Sequence, residues 1–213
     1  MTVRTLVRVA LLPLLAALLP ASAAGQGIDV RGYGMIGSIT FTASDSFESV
    51  VGNDSGRLLG GGVEVGLPLG GLFVGVGGSR YRADGSRVFV TSSRVFTLGI
   101  PTQVTVSPID VTAGWRFRQL SRRIVPYVGG GWSSYRYEET ADFAAPGENI
   151  NERYSGYHLL GGVDLRITRW LGLGGEYVWT RIPDALGTDG ASAFFNETDL
   201  GGSSLRVKLS IGR

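Results

Sequence analysis

Cysteine is absent, so neither a disulfide framework nor a thiolate metal site is available to this chain. A single histidine makes a zinc site improbable. Proline is sparse, at 8 residues, and no helical periodicity is evident beyond the N-terminal segment. Past that segment no apolar run approaches the ~20 residues a membrane-spanning helix needs. Charge of one sign is missing too, with 20 Lys+Arg against 18 Asp+Glu. What the chain does have is glycine, 34 of 213 residues, roughly double the usual share of ~7%.

The first residues, MTVRTLVRVALLPLLAALLPASAAGQG, read as a secretory signal peptide. Arg4 and Arg8 supply a charged start, Val9–Leu19 an apolar run broken by Pro13, and Ala21-Ser22-Ala23 a cleavage site. We therefore divide the chain into a leader over 1–24 and one domain over 25–213. Loss of Arg4 and Arg8 reduces the 20 bases to 18, equal to the 18 acids. A mature chain of zero net charge offers no basic surface for nucleic acid.

From residue 28 the sequence alternates with period two, the mark of half-buried strands. Eight segments are predicted, over 28–42, 57–67, 71–82, 103–117, 124–137, 154–167, 170–182 and 200–212. Their connections alternate in length. Long polar links fall at 43–56, 83–102, 138–153 and 183–199, and short ones at 68–70, 118–123 and 168–169. An up-and-down barrel puts odd connections at one end and even ones at the other, with short periplasmic turns opposite longer outer loops. The strand-like runs RVFV and RVFTLGI within 83–102 fit either an extension of the third and fourth strands or a lid.

One face of the strands is apolar and the other mixes glycine with charge. In a membrane barrel the apolar face meets lipid. Val163, Leu165 and Val207 are thus expected to point outward, and Asp164 and Arg206 inward. Placed near mid-membrane, Leu165→Arg would cost about 2–4 kcal/mol. Trp115 and Phe117 at one end, with Tyr177 and Trp179 at the other, fit interfacial girdles. The fifth segment, YVGGGWSSYRY, carries aromatics on both faces and leaves its facing open. The expected interior network has four acids, Glu64, Asp110, Asp164 and Glu176, and four bases, Arg116, Arg166, Arg206 and Lys208. His158 shares their face. Unpaired ions in so narrow a lumen would be costly, so a balanced set points to mutual pairing and a structural role.

The leader, the eight amphipathic strands and segments such as VTAGWRFR, PYVGGGW and LGGVDLRI resemble the small outer-membrane β-barrel family of OmpA-, OmpX- and OmpW-like proteins. The resemblance covers 25–213. It implies an all-β fold, an eight-stranded antiparallel up-and-down transmembrane β-barrel in the bacterial outer membrane. It also implies contact with outer-membrane lipids, folding by the barrel-assembly machinery, a monomeric state, and a structural, surface-interaction or narrow-conduit role without enzymatic activity or cofactor. The family usually ends in an aromatic residue, whereas this chain ends in Arg213.

Two other classes are set beside this reading. A soluble lipocalin-like barrel would turn its apolar face inward. A membrane-embedded lipid-modifying enzyme resembling the lipid A deacylases would need a serine two residues after its histidine, and residue 160 is Leu. His158 is accordingly expected to be a hydrogen-bonded interior residue. GYGMIG, Gly32 to Gly37, matches G-x-G-x-x-G but lacks the following helix of a nucleotide site. Acids in the long loops, among them Asp45, Glu48, Glu138, Asp142 and Glu148, are expected to be solvated rather than cation ligands. NDS and NET match a glycosylation pattern that means little in a bacterial envelope.

Overall fold

The computed structural model describes residues 28–212 apart from 92–93, 119, 122, 142–148 and 189. The leader, Asp142, Glu148 and Arg213 lie outside the described residues. Eight antiparallel strands close into a barrel: β1 (Asp29–Phe41), β2 (Ser55–Gly66), β3 (Leu72–Val90), β4 (Val95–Arg116), β5 (Ile124–Ala141), β6 (Ile150–Arg166), β7 (Leu171–Arg181) and β8 (Gly202–Gly212).

The register fixes the size. One row of paired residues starts at Arg31 and passes through Glu64, Gly75, Thr112, Gly131, His158, Thr180 and Gly202. It re-enters β1 at Phe41, ten residues beyond its start. Eight strands with that offset, at ordinary strand rise and spacing, tilt by about 40° and enclose a backbone radius of about 8 Å. Side chains alone fill such a lumen.

The facing follows the alternation. Val163, Leu165 and Val207 are 44%, 43% and 49% exposed, whereas Asp164 and Arg206 are 6% and 5%. On β5 the even positions face out, including Val128 and Trp132, and Tyr127 and Tyr135 are buried inside. Leu165 lies beside the short β6–β7 turn rather than midway along the barrel, because it pairs with Ile124 and Leu173 near the ends of their strands. The central outward position is closer to Val207, paired with Ile36 and Gly175.

The short turns are tight. Gly71 has φ +136°, and a Cβ there would fall 2.2 Å from the Arg116 carbonyl oxygen, so only glycine fits. In the β6–β7 turn the Thr168 hydroxyl oxygen accepts from the amides of Trp170 and Leu171 at 3.1 and 3.0 Å.

The long loops hold what period-two reading missed. Helix α1 (Ser44–Val51) lies in the first and helix α2 (Gly190–Phe195) in the fourth. The stretch 83–102 is a hairpin, since β3 and β4 run on together to the Val90–Val95 pair.

An ionic lattice beneath an apolar cap: the candidate functional site

The barrel interior has two storeys. The outer storey is an apolar core. Ile39, Phe41, Leu58, Tyr81, Val104, Val106 and Ile182 pack there, all at most 3% exposed. Phe47 of α1 drops in from above. Its ring stacks on Phe41 at 4.0 Å, and Tyr81 meets Phe41 edge-on at 5.0 Å. Ala43 precedes α1 and offers no side-chain cap. Glu197 from the fourth loop does this instead, its carboxylate accepting from the amides of Asp45 and Ser46 at 3.1 and 2.9 Å. The cap therefore ties the first loop to the fourth. The sequence reading expected glycine and charge inside and did not foresee this apolar half.

The inner storey is ionic. Lys208 Nζ lies 2.9 Å from Glu64 Oε1 and 2.9 Å from Glu176 Oε2. Glu64 also pairs with Arg116. Arg206 reaches Asp110 at 3.3 Å and Glu176 at 3.8 Å. Asp164 takes Arg116 at 3.5 Å and Arg31 at 3.6 Å. Rings complete the cage. The Arg116 guanidinium sits 4.2 Å from the Phe73 centroid, and Lys208 Nζ 4.7 and 5.0 Å from those of Tyr33 and Tyr127. Cations against aromatic faces gain most where water is scarce.

Arg166 stands apart from this set. It is half-buried at the short-turn mouth, and the bases that meet Asp164 are Arg116 and Arg31. Parity placed Arg166 on the inner face but says nothing about depth. The pairing of Arg31 with Glu64 across β1 and β2 puts Arg31 at the level of the lattice. The interior glycines make room for aromatic rings. A Cβ at Gly162 would lie 2.5 Å from the Tyr127 hydroxyl, and one at Gly77 2.4 Å from that of Tyr33. Glycine opens the wall to the tyrosine rings. Asp29, Arg31, Tyr33, Phe73, Thr112, Arg118, Tyr127 and Ser133 join the site without having been singled out from sequence. The same parity argument applied to β1, β3 and β5 would have found most of them.

His158, 1% exposed, is held at both nitrogens. Ser133 Oγ lies 2.8 Å from Nδ1 and Thr112 Oγ1 2.9 Å from Nε2. Ser133 donates to Asp110 Oδ1 at 2.7 Å, which leaves it to accept from Nδ1–H. Serine thus bridges histidine and aspartate, the reverse of a hydrolytic triad in which histidine bridges the other two. The adjoining cavity has a volume of about 20 Å³, room for about one water molecule.

On β6 the Tyr154 hydroxyl donates to Glu152. Among the described residues, no three acidic or histidine side chains converge on a metal-sized site.

The sequence matches the family described as outer membrane protein beta-barrel domain over residues 9–210. The chain belongs to this family. Among solved structures, the outer membrane protein OprG from Pseudomonas aeruginosa shares 11% identity at TM-score 0.59, covering 88% of this chain and 96% of that one. A major outer membrane protein from Thermus thermophilus shares 10% at TM-score 0.56, over 86% and 99%. Neisserial surface protein A shares 16% at TM-score 0.52, over 87% and 96%. These likenesses are in fold. No curated protein sequence matches the chain. Family and fold together place this outer-membrane barrel with its exposed strand faces in lipid and its short turns in the periplasm.

Proposed function

We propose that this family member is a non-conducting, non-catalytic barrel that anchors a recognition surface outside the cell. One observation carries the reading: above its periplasmic mouth the lumen is filled, by the apolar core in the outer half and the ionic lattice below it. Nothing wider than a water molecule passes such a plug without breaking buried ion pairs or displacing α1. Leader 1–24 delivers the chain to the envelope, the barrel-assembly machinery folds it, and it works as a monomer among outer-membrane lipids.

The β3–β4 ribbon is the surface best suited to recognition. Among the described residues, β3 has no β2 partner past the Leu58–Tyr81 pair, and β4 has no β5 partner before Thr102. Phe89 faces Phe96 across the ribbon, and with Leu98 these side chains are about half exposed. Apolar groups projected beyond a charged rim mark interaction surfaces. A strand edge with free amides and carbonyls accepts another strand.

Conductance of purified protein in planar bilayers tests the plug. The expected trace is flat, with no stable unitary steps in the wild type. Reproducible wild-type steps of one size would show that the lumen opens and would overturn the reading.

A further inference from the structure

The periplasmic mouth holds a cavity of about 350 Å³, of a size with small-ligand sites. Its charge is lopsided. Arg31, Arg118, Arg166 and Arg169 line it, with Asp29 as the acid among its lining residues. Asp29 is already committed. Its carboxylate takes Arg31 Nε and Nη2 at 3.0 and 2.7 Å, and Arg118 Nη2 at 2.7 Å. Arg166 and Arg169 have no carboxylate partner among the described residues, and Arg169 rests over the Trp170 ring at 5.3 Å. Arg118 Nε is buried without a hydrogen-bond acceptor. Arg31 also reaches Asp164 of the lattice at 3.6 Å, so the vestibule keeps a net charge of +2, carried by Arg166 and Arg169, around a space that the lattice above leaves open.

We propose that this vestibule binds a phosphate group. Four planar guanidinium forks from β1, β6 and two turns suit a tetrahedral oxyanion with several acceptors. Two uncompensated positive charges suit a doubly charged phosphate ester better than a lone carboxylate. The Thr168 and Ser210 hydroxyls line the same wall, and Trp170 and Ile28 form an apolar rim. Trp170 lies at the level where a barrel's aromatic girdle meets headgroups. The same chemistry is offered by a phospholipid headgroup of the inner leaflet and by a free phosphate ester of the periplasm.

Folded protein in a zwitterionic detergent is titrated calorimetrically with glycerol 3-phosphate and, separately, with succinate. A parallel sample is reconstituted in phosphatidylcholine nanodiscs with or without phosphatidylglycerol, and retained lipid is read by native mass spectrometry. Saturable binding of the free ester, selective retention of phosphatidylglycerol, or both are expected, and which probe binds identifies the source. R118Q/R166Q should weaken binding about tenfold or more, as loss of charged hydrogen bonds does. R169Q, exposed and outside the ion pairs, should also weaken it and serves if the double variant does not fold. R153Q on the outer side should leave it unchanged. The proposal is overturned if neither phosphate probe binds saturably, if succinate binds as tightly as the ester, or if R169Q and the double variant bind like R153Q.

Discussion

Replacing Lys208 by methionine removes the cation that bridges Glu64 and Glu176 while keeping most of the side-chain volume. Each 2.9 Å contact is worth about 6 kcal/mol in gross Coulomb energy at an effective dielectric of about 20. Relief from desolvating the ammonium returns several kcal/mol, and removal of one partner from a buried ion pair typically leaves a net loss of about 3–5 kcal/mol. Glu64 keeps Arg116, and Glu176 keeps Arg206 at 3.8 Å and the Tyr127 hydroxyl at 3.0 Å, so the lower end of that range is expected for K208M. The double variant K208M/E176Q also removes a carboxylate. It leaves Glu64, Asp110 and Asp164 matched by Arg31, Arg116 and Arg206, and should recover part of the loss. Urea unfolding at equilibrium in lipid vesicles, followed by tryptophan fluorescence and gel mobility, measures both. A K208M loss under about 1 kcal/mol is what a water-filled, screened lumen would give. That result, or a double variant less stable than K208M alone, would refute the argument for a dry lattice.

Val207→Arg should cost about 2–4 kcal/mol in the same assay, and Leu165→Arg only about 0–1 kcal/mol, because the penalty follows depth and Leu165 sits near the interface; equal costs would contradict the register-based depth. Gly162→Ala should destabilise by about 1–3 kcal/mol through its clash with Tyr127 and the Gly175 carbonyl, and pairing it with Tyr127→Phe should recover some of that, as read from the unfolding midpoint. Glu197→Ala should release the N-terminus of α1, costing about 0.5–2 kcal/mol and speeding proteolysis within 44–51 without affecting insertion.

Much of this architecture was legible because lipid imposes one rule on every strand. The outward set, such as Leu205, Val207, Leu209 and Ile211, must be apolar, so alternation shows through and fixes parity. Strand number, loop sorting and the facing of β6 to β8 follow from it, whereas the outer ends of β3, β4 and β6, which run on to Val90, Val95 and Ile150, do not. Depth did not follow. Arg31 and Arg166 have the same facing, and only the ten-residue offset of the closed ladder decides which one meets Asp164. The apolar storey was hidden for a related reason. Around Val104 and Val106 or Ile39 and Phe41, the inner face is apolar as well, which erases the contrast that parity needs. Helix α1 has eight residues, too few for a 3.6-residue period to stand out, and its cap comes from a glutamate about 150 positions away.

The two-storey interior bears on how the molecule enters its bilayer. Hairpins threaded from the periplasm lead with their loop ends, and the lumenal groups that travel furthest are Ile39, Leu58, Val104 and Ile182, which hydrocarbon tolerates. Lys208, Glu64, Arg116 and Asp164 trail behind and stop in the near leaflet. Their mutual neutralisation is complete only once β8 has zipped to β1, so the last seam to form also quenches the most hydrated groups in the chain.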